Sequence, residues 1–276
     1  MTRLAPLTAA APGSPSRWAL HDSLIVARRY LTHFRQQPSR LVGNLLFPIV
    51  MVIMFGYVFG SAITLPDGGN YREFLMPGLF VMTMALGMAQ TVISVTTDTA
   101  KGITDRFRTI PMSGAAVVTG RSLADLAASV LELIALLACG LLVGWRANGT
   151  VGQTLAAIGL LLLLRYALAW VGIYLGLALR SPDLASVALA PIYPLTMISN
   201  VFVLPAQMPA WLGVIAEWNP LSATVTATRE LFGNPGITTS TSWAAENATL
   251  LAIAWPVILI AVFLPLAARR YRYLAA

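Results

Sequence analysis

The chain has 276 residues, only 11% of them charged, with a net charge of +7 and a mean hydropathy of +0.74. A soluble domain carries roughly 25% charge, so this composition excludes an ordinary water-soluble enzyme. The basic residues also argue against a nucleic-acid binder, because they sit in blocks between apolar runs, where they orient a membrane protein. Those runs are about 20 residues long, the length that crosses ~30 Å of hydrocarbon. The expected fold class is an all-α membrane protein with several transmembrane helices. The single cysteine, Cys139, lies inside an apolar run and has no partner for an internal disulfide.

Residues 1–15 are rich in Ala, Pro, Ser and Thr and read as a disordered tail. Pro6, Pro12 and Pro15 interrupt any apolar core that a cleaved signal peptide would need. Residues 16–40 hold an amphipathic helix, Ser16 to Gln37, stopped by Pro38. Leu20, Leu24, Ala27, Leu31 and Phe34 share one face, while Arg28, Arg29 and Arg35 belong to a polar, basic helix of the kind that lies flat on an inner membrane surface. It reads equally as a lipid anchor and as a surface that touches a cytoplasmic partner.

Residues 41–273 form the transmembrane domain, with spans expected at 41–63, 74–97, 123–143, 155–179, 184–204 and 250–267. Pro48 should kink the first. Gly56 and Gly60, Gly140 and Gly144, and Gly172 and Gly176 are small-xxx-small pairs that let helices approach closely. Gln90, Thr91 and Ser94 make one side of the second span mildly polar, which suits either helix packing or the wall of a solute path. Pro191 and Pro194 interrupt the fifth span. Between the second and third spans lies a basic stretch, Asp98 to Asp125, with Lys101, Arg106, Arg108 and Arg121. Thr99 to Thr109 can form a short helix there, ended by Pro111.

The stretch Pro205 to Asn247 is the longest outer segment and carries the interfacial aromatics Trp211, Trp218 and Trp243. Met208 to Trp218 and Leu221 to Phe232 read as two short helices, broken at Asn219-Pro220 and closed by Gly233. They are too short to span, so a dip into the outer leaflet is expected. With six spans and both termini inside, the outer segments hold only Arg72, Arg146 and Arg229, and the asymmetry fixes that orientation. Two charges fall within spans: Glu132 in the third and Arg165 in the fourth. They lie at nearly equal distances from the turn near Asn148, so a buried ion pair is expected, either locking the hairpin or forming a polar element of a path. No G-x-x-x-x-G-K-[ST], H-E-x-x-H or G-x-S-x-G occurs, so the chain shows no phosphate-binding loop and no hydrolase motif.

The order of these elements resembles the type-2 ABC transporter permeases, in particular the daunorubicin-resistance permease family. The likeness covers roughly residues 16 to 273. It is carried by the amphipathic helix before the first span and by Phe74-Leu75-Met76-Pro77-Gly78 opening the second. Next come Lys101-Gly102-x-x-Asp105-Arg106-Phe107-Arg108-x-x-Pro111, Gly120-Arg121 and Ala124-Asp125. Met208-Pro209, Trp218-Asn219-Pro220-Leu221 and Arg229 complete it. The chain departs from the pattern at Ala100-Lys101, where relatives often carry an acidic residue before the glycine.

The resemblance implies a permease subunit without catalytic residues or a metal. It would pair with a second permease copy, a homodimer more readily than a heterodimer. Two cytoplasmic ABC ATPase subunits would hold ATP and Mg. Asp98, Lys101, Gly102, Ile103, Asp105, Arg106, Phe107 and Arg108 would form the coupling helix. Arg28, Arg29 and Arg35 would belong to the interface helix. Gln90, Thr91, Ser94, Thr196, Ser199 and Asn200 would line the solute path, and Trp218, Asn219 and Pro220 would belong to an outer gate. The implied activity is export of a hydrophobic or amphipathic small molecule, of drug or antibiotic type, across a bacterial cell membrane. A lipid-linked polysaccharide exporter is an alternative, although Trp170, Tyr174 and Tyr193 are few and scattered for an aromatic-lined channel. A non-conducting membrane anchor for an ATPase is an alternative of another class.

Overall fold

The computed structural model describes residues 38–59, 70–101, 114–179, 181–234 and 242–273, and among them there are helices and turns but no strand. The expected interface helix, the loop residues 102–113 and the end of the first expected span lie outside the described residues.

Helix α1 runs from Pro38 to Ile53 and continues as a π-helical turn, Met54–Phe59. It is followed by α2 (Tyr71–Ala100), α3 (Gly114–Val143) and α4 (Val151–Ala178). Two short helices, α5 (Pro182–Leu189) and α6 (Ile192–Met197), lead to a 3₁₀ turn at Pro205–Gln207. Then come α7 (Ala210–Trp218), α8 (Pro220–Phe232), α9 (Trp243–Glu246) and α10 (Ala248–Tyr273).

Among the described residues, four helices are long and apolar enough to cross a membrane: Tyr71–Ala100, Thr119–Val143, Val151–Ala178 and Ala248–Tyr271. They correspond to the expected second, third, fourth and sixth spans. Of the other two expected spans, the first is helical from Pro38 to Phe59, passing from an α to a π ladder at Met54, and its last residues lie outside the described ones; the fifth is interrupted. In the fifth, Pro191 and Pro194 supply no backbone N–H, so the helix divides into pieces of eight and six residues. The ladder resumes only where Leu195 N–H donates to Pro191 O at 3.1 Å and Ile198 N–H to Pro194 O at 2.8 Å.

Helix α4 is central, packed against α2, α3, α8 and α10. It starts from a reciprocal cap in which Thr150 and Gln153 exchange side-chain and backbone hydrogen bonds. Its glycines explain the close packing. A Cβ on Gly172 would come within 3.0 Å of Thr91 Cβ, and one on Gly176 within 2.5 Å of Val95 Cβ, so α2 and α4 touch backbone to side chain along this line. Gly140 likewise admits the Met76 methyl, 2.7 Å from where its Cβ would stand. Gly144 does something different from its expected packing role: at φ +97° it ends α3, a conformation that glycine adopts freely.

The core lies around α2. Phe74, Leu75, Leu79, Phe80 and Met84 are buried against Leu133, Leu136, Leu161 and Leu164. By contrast α10 keeps Ile253, Val257, Ile258 and Val262 exposed, as does α3 with Leu131, Ile134 and Leu142. Such apolar surface is costly in water and neutral in hydrocarbon.

Candidate coupling and solute-path site

Helices α2 and α3 run antiparallel, and polar side chains join them toward the end where residues 102–113 connect them. Arg121 Nη1 and Asp98 Oδ2 form an ion pair at 2.5 Å. Deeper in the bundle, Thr91 Oγ1 lies 2.9 Å from Asp125 Oδ2 and 3.2 Å from Arg165 Nη2. The direction of these bonds is set by chemistry. A guanidinium only donates and a carboxylate only accepts. The Thr91 hydroxyl therefore accepts from Arg165 and donates to Asp125, bridging an Arg on α4 and an Asp on α3 from its own place on α2. Gly87, one turn before Thr91, makes room for this: a Cβ there would stand 2.8 Å from Arg165 Nε. Glu132 lies two turns along the same α3 face from Asp125 and is also buried. The expected partner of Arg165 was Glu132; the hydrogen bond that Arg165 makes goes to Thr91.

The opposite end of α2 is held by a second cluster. Pro77 removes one helical N–H, and Gly78 lets the Val201 backbone approach, since a Cβ there would be 2.8 Å from Val201 O. Arg229 of α8 is fully buried and closes this junction. Its Nε donates to Phe74 O at 2.8 Å, its Nη1 to Asn200 Oδ1 at 2.8 Å and its Nη2 to Val201 O at 3.1 Å. The guanidinium also lies over the Phe74 ring, 3.7 Å from its centroid. Asn200 uses its remaining groups inside the same junction, donating from Nδ2 to Thr226 Oγ1 and from its backbone N–H to Ser222 Oγ. Irregular backbone at membrane depth needs such internal partners, and Arg229 supplies them where the broken fifth segment turns.

Asn219 serves two helices at once. Its Oδ1 accepts from Leu221 N–H and caps α8, while its Nδ2 donates to Leu195 O and Ile198 O at the end of α6. Pro220 occupies the first turn of α8, where a missing N–H costs nothing. Trp218 is half exposed and stacks on Trp243 with ring centroids 6.0 Å apart.

The expected path residues separate into two groups. Gln90 is exposed and Ser94 half-buried, on a face of α2 that also leaves Ile93 and Lys101 exposed. Between Tyr71 and Ala85, α2 has no exposed residue. Thr91, Thr196, Ser199 and Asn200 are buried within the chain, at 2%, 1%, 0% and 1% exposure. Thr196 and Ser199 hydrogen-bond back to Tyr193 O and Thr196 O. Of the coupling set, Asp98 pairs with Arg121 and Lys101 is exposed at the end of α2. Gly102, Ile103, Asp105, Arg106, Phe107 and Arg108 lie outside the described residues, as do Arg28, Arg29 and Arg35. Two residues were missed as site elements. Arg229 was read as an orienting charge, and Asp125 as the last residue of the basic stretch, at the very start of the third span, whereas α3 already begins at Gly114.

Apolar spanning helices tied together by buried charged clusters define a polytopic helical membrane protein. Residues 23–232 match the family described as ABC-2 type transporter, and the chain belongs to that family. It is similar to the daunorubicin resistance ABC transporter permease protein DrrB1 of Streptomyces coeruleorubidus, at 33% identity over 88% of this chain and 83% of the relative. It is also similar to putative transport permeases ycf38. The one of Porphyra purpurea is 23% identical over 84% of this chain and 78% of the relative. That of Cyanophora paradoxa is 22% identical over 88% and 85%.

Proposed function

We propose that this chain is the permease subunit of an ATP-driven exporter that carries hydrophobic or amphipathic small molecules of drug or antibiotic type out of the cell. The observation that carries the reading is the likeness, along most of both chains, to a permease named for daunorubicin resistance. Two permease copies sit side by side, and two cytoplasmic ABC ATPase subunits bind ATP and Mg. Both termini and the α2–α3 loop face the cytoplasm, which agrees with the Lys/Arg distribution. Arg28, Arg29 and Arg35 lie on the interface helix, and Ile103, Arg106, Phe107 and Arg108 dock on the ATPase.

The face of α2 with exposed Gln90 and half-buried Ser94 supports a solute path along the cytoplasmic half of α2. Polar groups at membrane depth favour a partner or an aqueous path over lipid. Trp218, Asn219 and Pro220 belong to the outer gate, whose hinge is the Asn219 junction between α6 and α8. Co-expression with a candidate P-loop ABC ATPase subunit tests the reading. The tagged permease should retain that ATPase through purification. A permease that purifies alone, with an ATPase whose turnover it leaves unchanged, would speak against it.

A further inference from the structure

The bridge made by Thr91 is built from residues far apart in sequence, separated by 34 positions from Asp125 and by 74 from Arg165. Both arms of the threonine are engaged. Its hydroxyl holds the two charges, and its methyl packs where a Cβ on Gly172 would come to 3.1 Å from Thr91 Cγ2. Arg165 is 5% exposed, and its Nε and Nη1 have no hydrogen-bond partner. Its charge therefore rests on one neutral oxygen, with the Asp125 carboxylate just beyond it. A buried guanidinium gains more from a carboxylate than from a hydroxyl. A small slide of α3 along α4 would exchange the bridged arrangement for direct contact, and packed cores switch between such discrete arrangements rather than deform continuously.

That slide is connected to the α2–α3 loop. Asp125 lies one turn beyond Arg121 on α3, and Arg121 is paired with Asp98 near the end of α2. Force applied to the loop by a cytoplasmic partner would reach the Asp98–Arg121 pair before the Thr91 bridge.

We propose that Thr91 is a positioning residue of the transport cycle: its hydroxyl, bridging Arg165 and Asp125, holds α2, α3 and α4 in one arrangement until the loop is moved. This inference rests on the exporter reading above. Its test uses the full permease with its ATPase in lipid vesicles and daunorubicin as the fluorescent probe. Thr91→Val keeps the methyl contact and removes the hydroxyl; Thr91→Ser keeps the hydroxyl and removes the methyl.

At matched amounts of folded complex, Thr91→Val should hydrolyse ATP within about twofold of the wild type but move about tenfold less probe per ATP, the size of an ordinary coupling free energy. Thr91→Ser should keep the wild-type ratio. A Thr91→Val complex with the wild-type ratio overturns the inference. So does one whose yield falls while the ratio per folded complex stays unchanged, because the role is then only structural. If Thr91→Val does not fold, Asp125→Asn serves in its place, since Asn Oδ1 still accepts from Thr91 while the charge is gone. An unchanged ratio there overturns the inference equally. A wild-type complex that neither turns over ATP nor moves probe overturns the exporter reading and this inference together.

Discussion

Arg229 and Phe74 meet twice: the guanidinium covers the phenyl ring at 3.7 Å while its Nε donates to the same residue's carbonyl at 2.8 Å. One side chain from a short helix thus grips the first turns of a spanning one. With Asn200 and Val201 as its other partners, Arg229 joins three segments at one point.

Arg229→Met should therefore be among the most damaging single changes. It leaves the Asn200 side chain and the Val201 carbonyl without a donor, and hydrogen bonds to charged groups contribute ~1.5–3 kcal/mol each. A loss of at least about 3 kcal/mol is expected, read as a sharp fall in folded yield and thermal stability in detergent. Arg229→Lys should recover only part, because an ammonium cannot reproduce the planar fork. Wild-type stability in Arg229→Met would mean that the junction is held by packing alone.

Gly78 and Gly159 form a matched comparison. A Cβ on Gly78 would meet Val201 backbone atoms at 2.8 and 3.0 Å, and backbone cannot step aside; one on Gly159 meets nothing within 4 Å. Gly78→Ala should cost ~1–3 kcal/mol through overpacking. Gly159→Ala, inside α4, should be neutral or stabilising by up to about 1 kcal/mol. Thermal unfolding of the two variants side by side decides the matter, and equal effects would contradict the close approach of α2 and Val201.

Orientation is testable with two exposed positions. In a Cys139→Ser background, Lys101→Cys should react with a membrane-impermeant thiol reagent only from the cytoplasmic side. Glu246→Cys should react only from outside. Labelling of Lys101→Cys in intact cells would reverse the proposed orientation.

The loop joining α2 and α3 is proposed to be where the ATPase docks. Phe107→Asp places a charge in that contact and leaves the spanning helices untouched. Normal insertion is expected, with a weakened ATPase complex and lost export. Retention of ATPase binding, ATP turnover and export together would remove the loop from the mechanism.

Much of this fold is legible in the sequence because hydrocarbon imposes one strong rule. Each of α2, α3, α4 and α10 holds a long apolar stretch with few charges, and a stretch of that length has few other uses. The short helices α7 and α8 were legible through their punctuation, Asn219-Pro220 and Gly233, the last at φ +65°. The fifth segment was harder. Its apolar length suggests a span, yet whether Pro191 and Pro194 kink a helix or divide it depends on neighbours such as Asn219, which satisfies the Leu195 and Ile198 carbonyls at the end of α6.

The sites were less legible for the same reason. Equal distance from the turn near Asn148 suggested Glu132 as the partner of Arg165, but depth says nothing of rotation, and the hydroxyl that Arg165 meets belongs to a third helix. Asp125 closed the basic stretch at the very start of the expected third span, whereas α3 extends well past its apolar part, back to Gly114. A lone Arg229 among threonines carries no pattern; only the folded junction of Phe74, Asn200 and Val201 reveals its role.

The most direct test of the account is ATP-driven movement of a drug-like solute by the assembled complex. Inside-out membrane vesicles containing this permease and its ATPase should accumulate daunorubicin when supplied with ATP and Mg. Accumulation should be absent without the nucleotide, without either subunit, or with an ATPase variant that cannot hydrolyse ATP. Vesicles that show wild-type ATP turnover by the complex but no nucleotide-dependent accumulation of this or other amphipathic probes would contradict it.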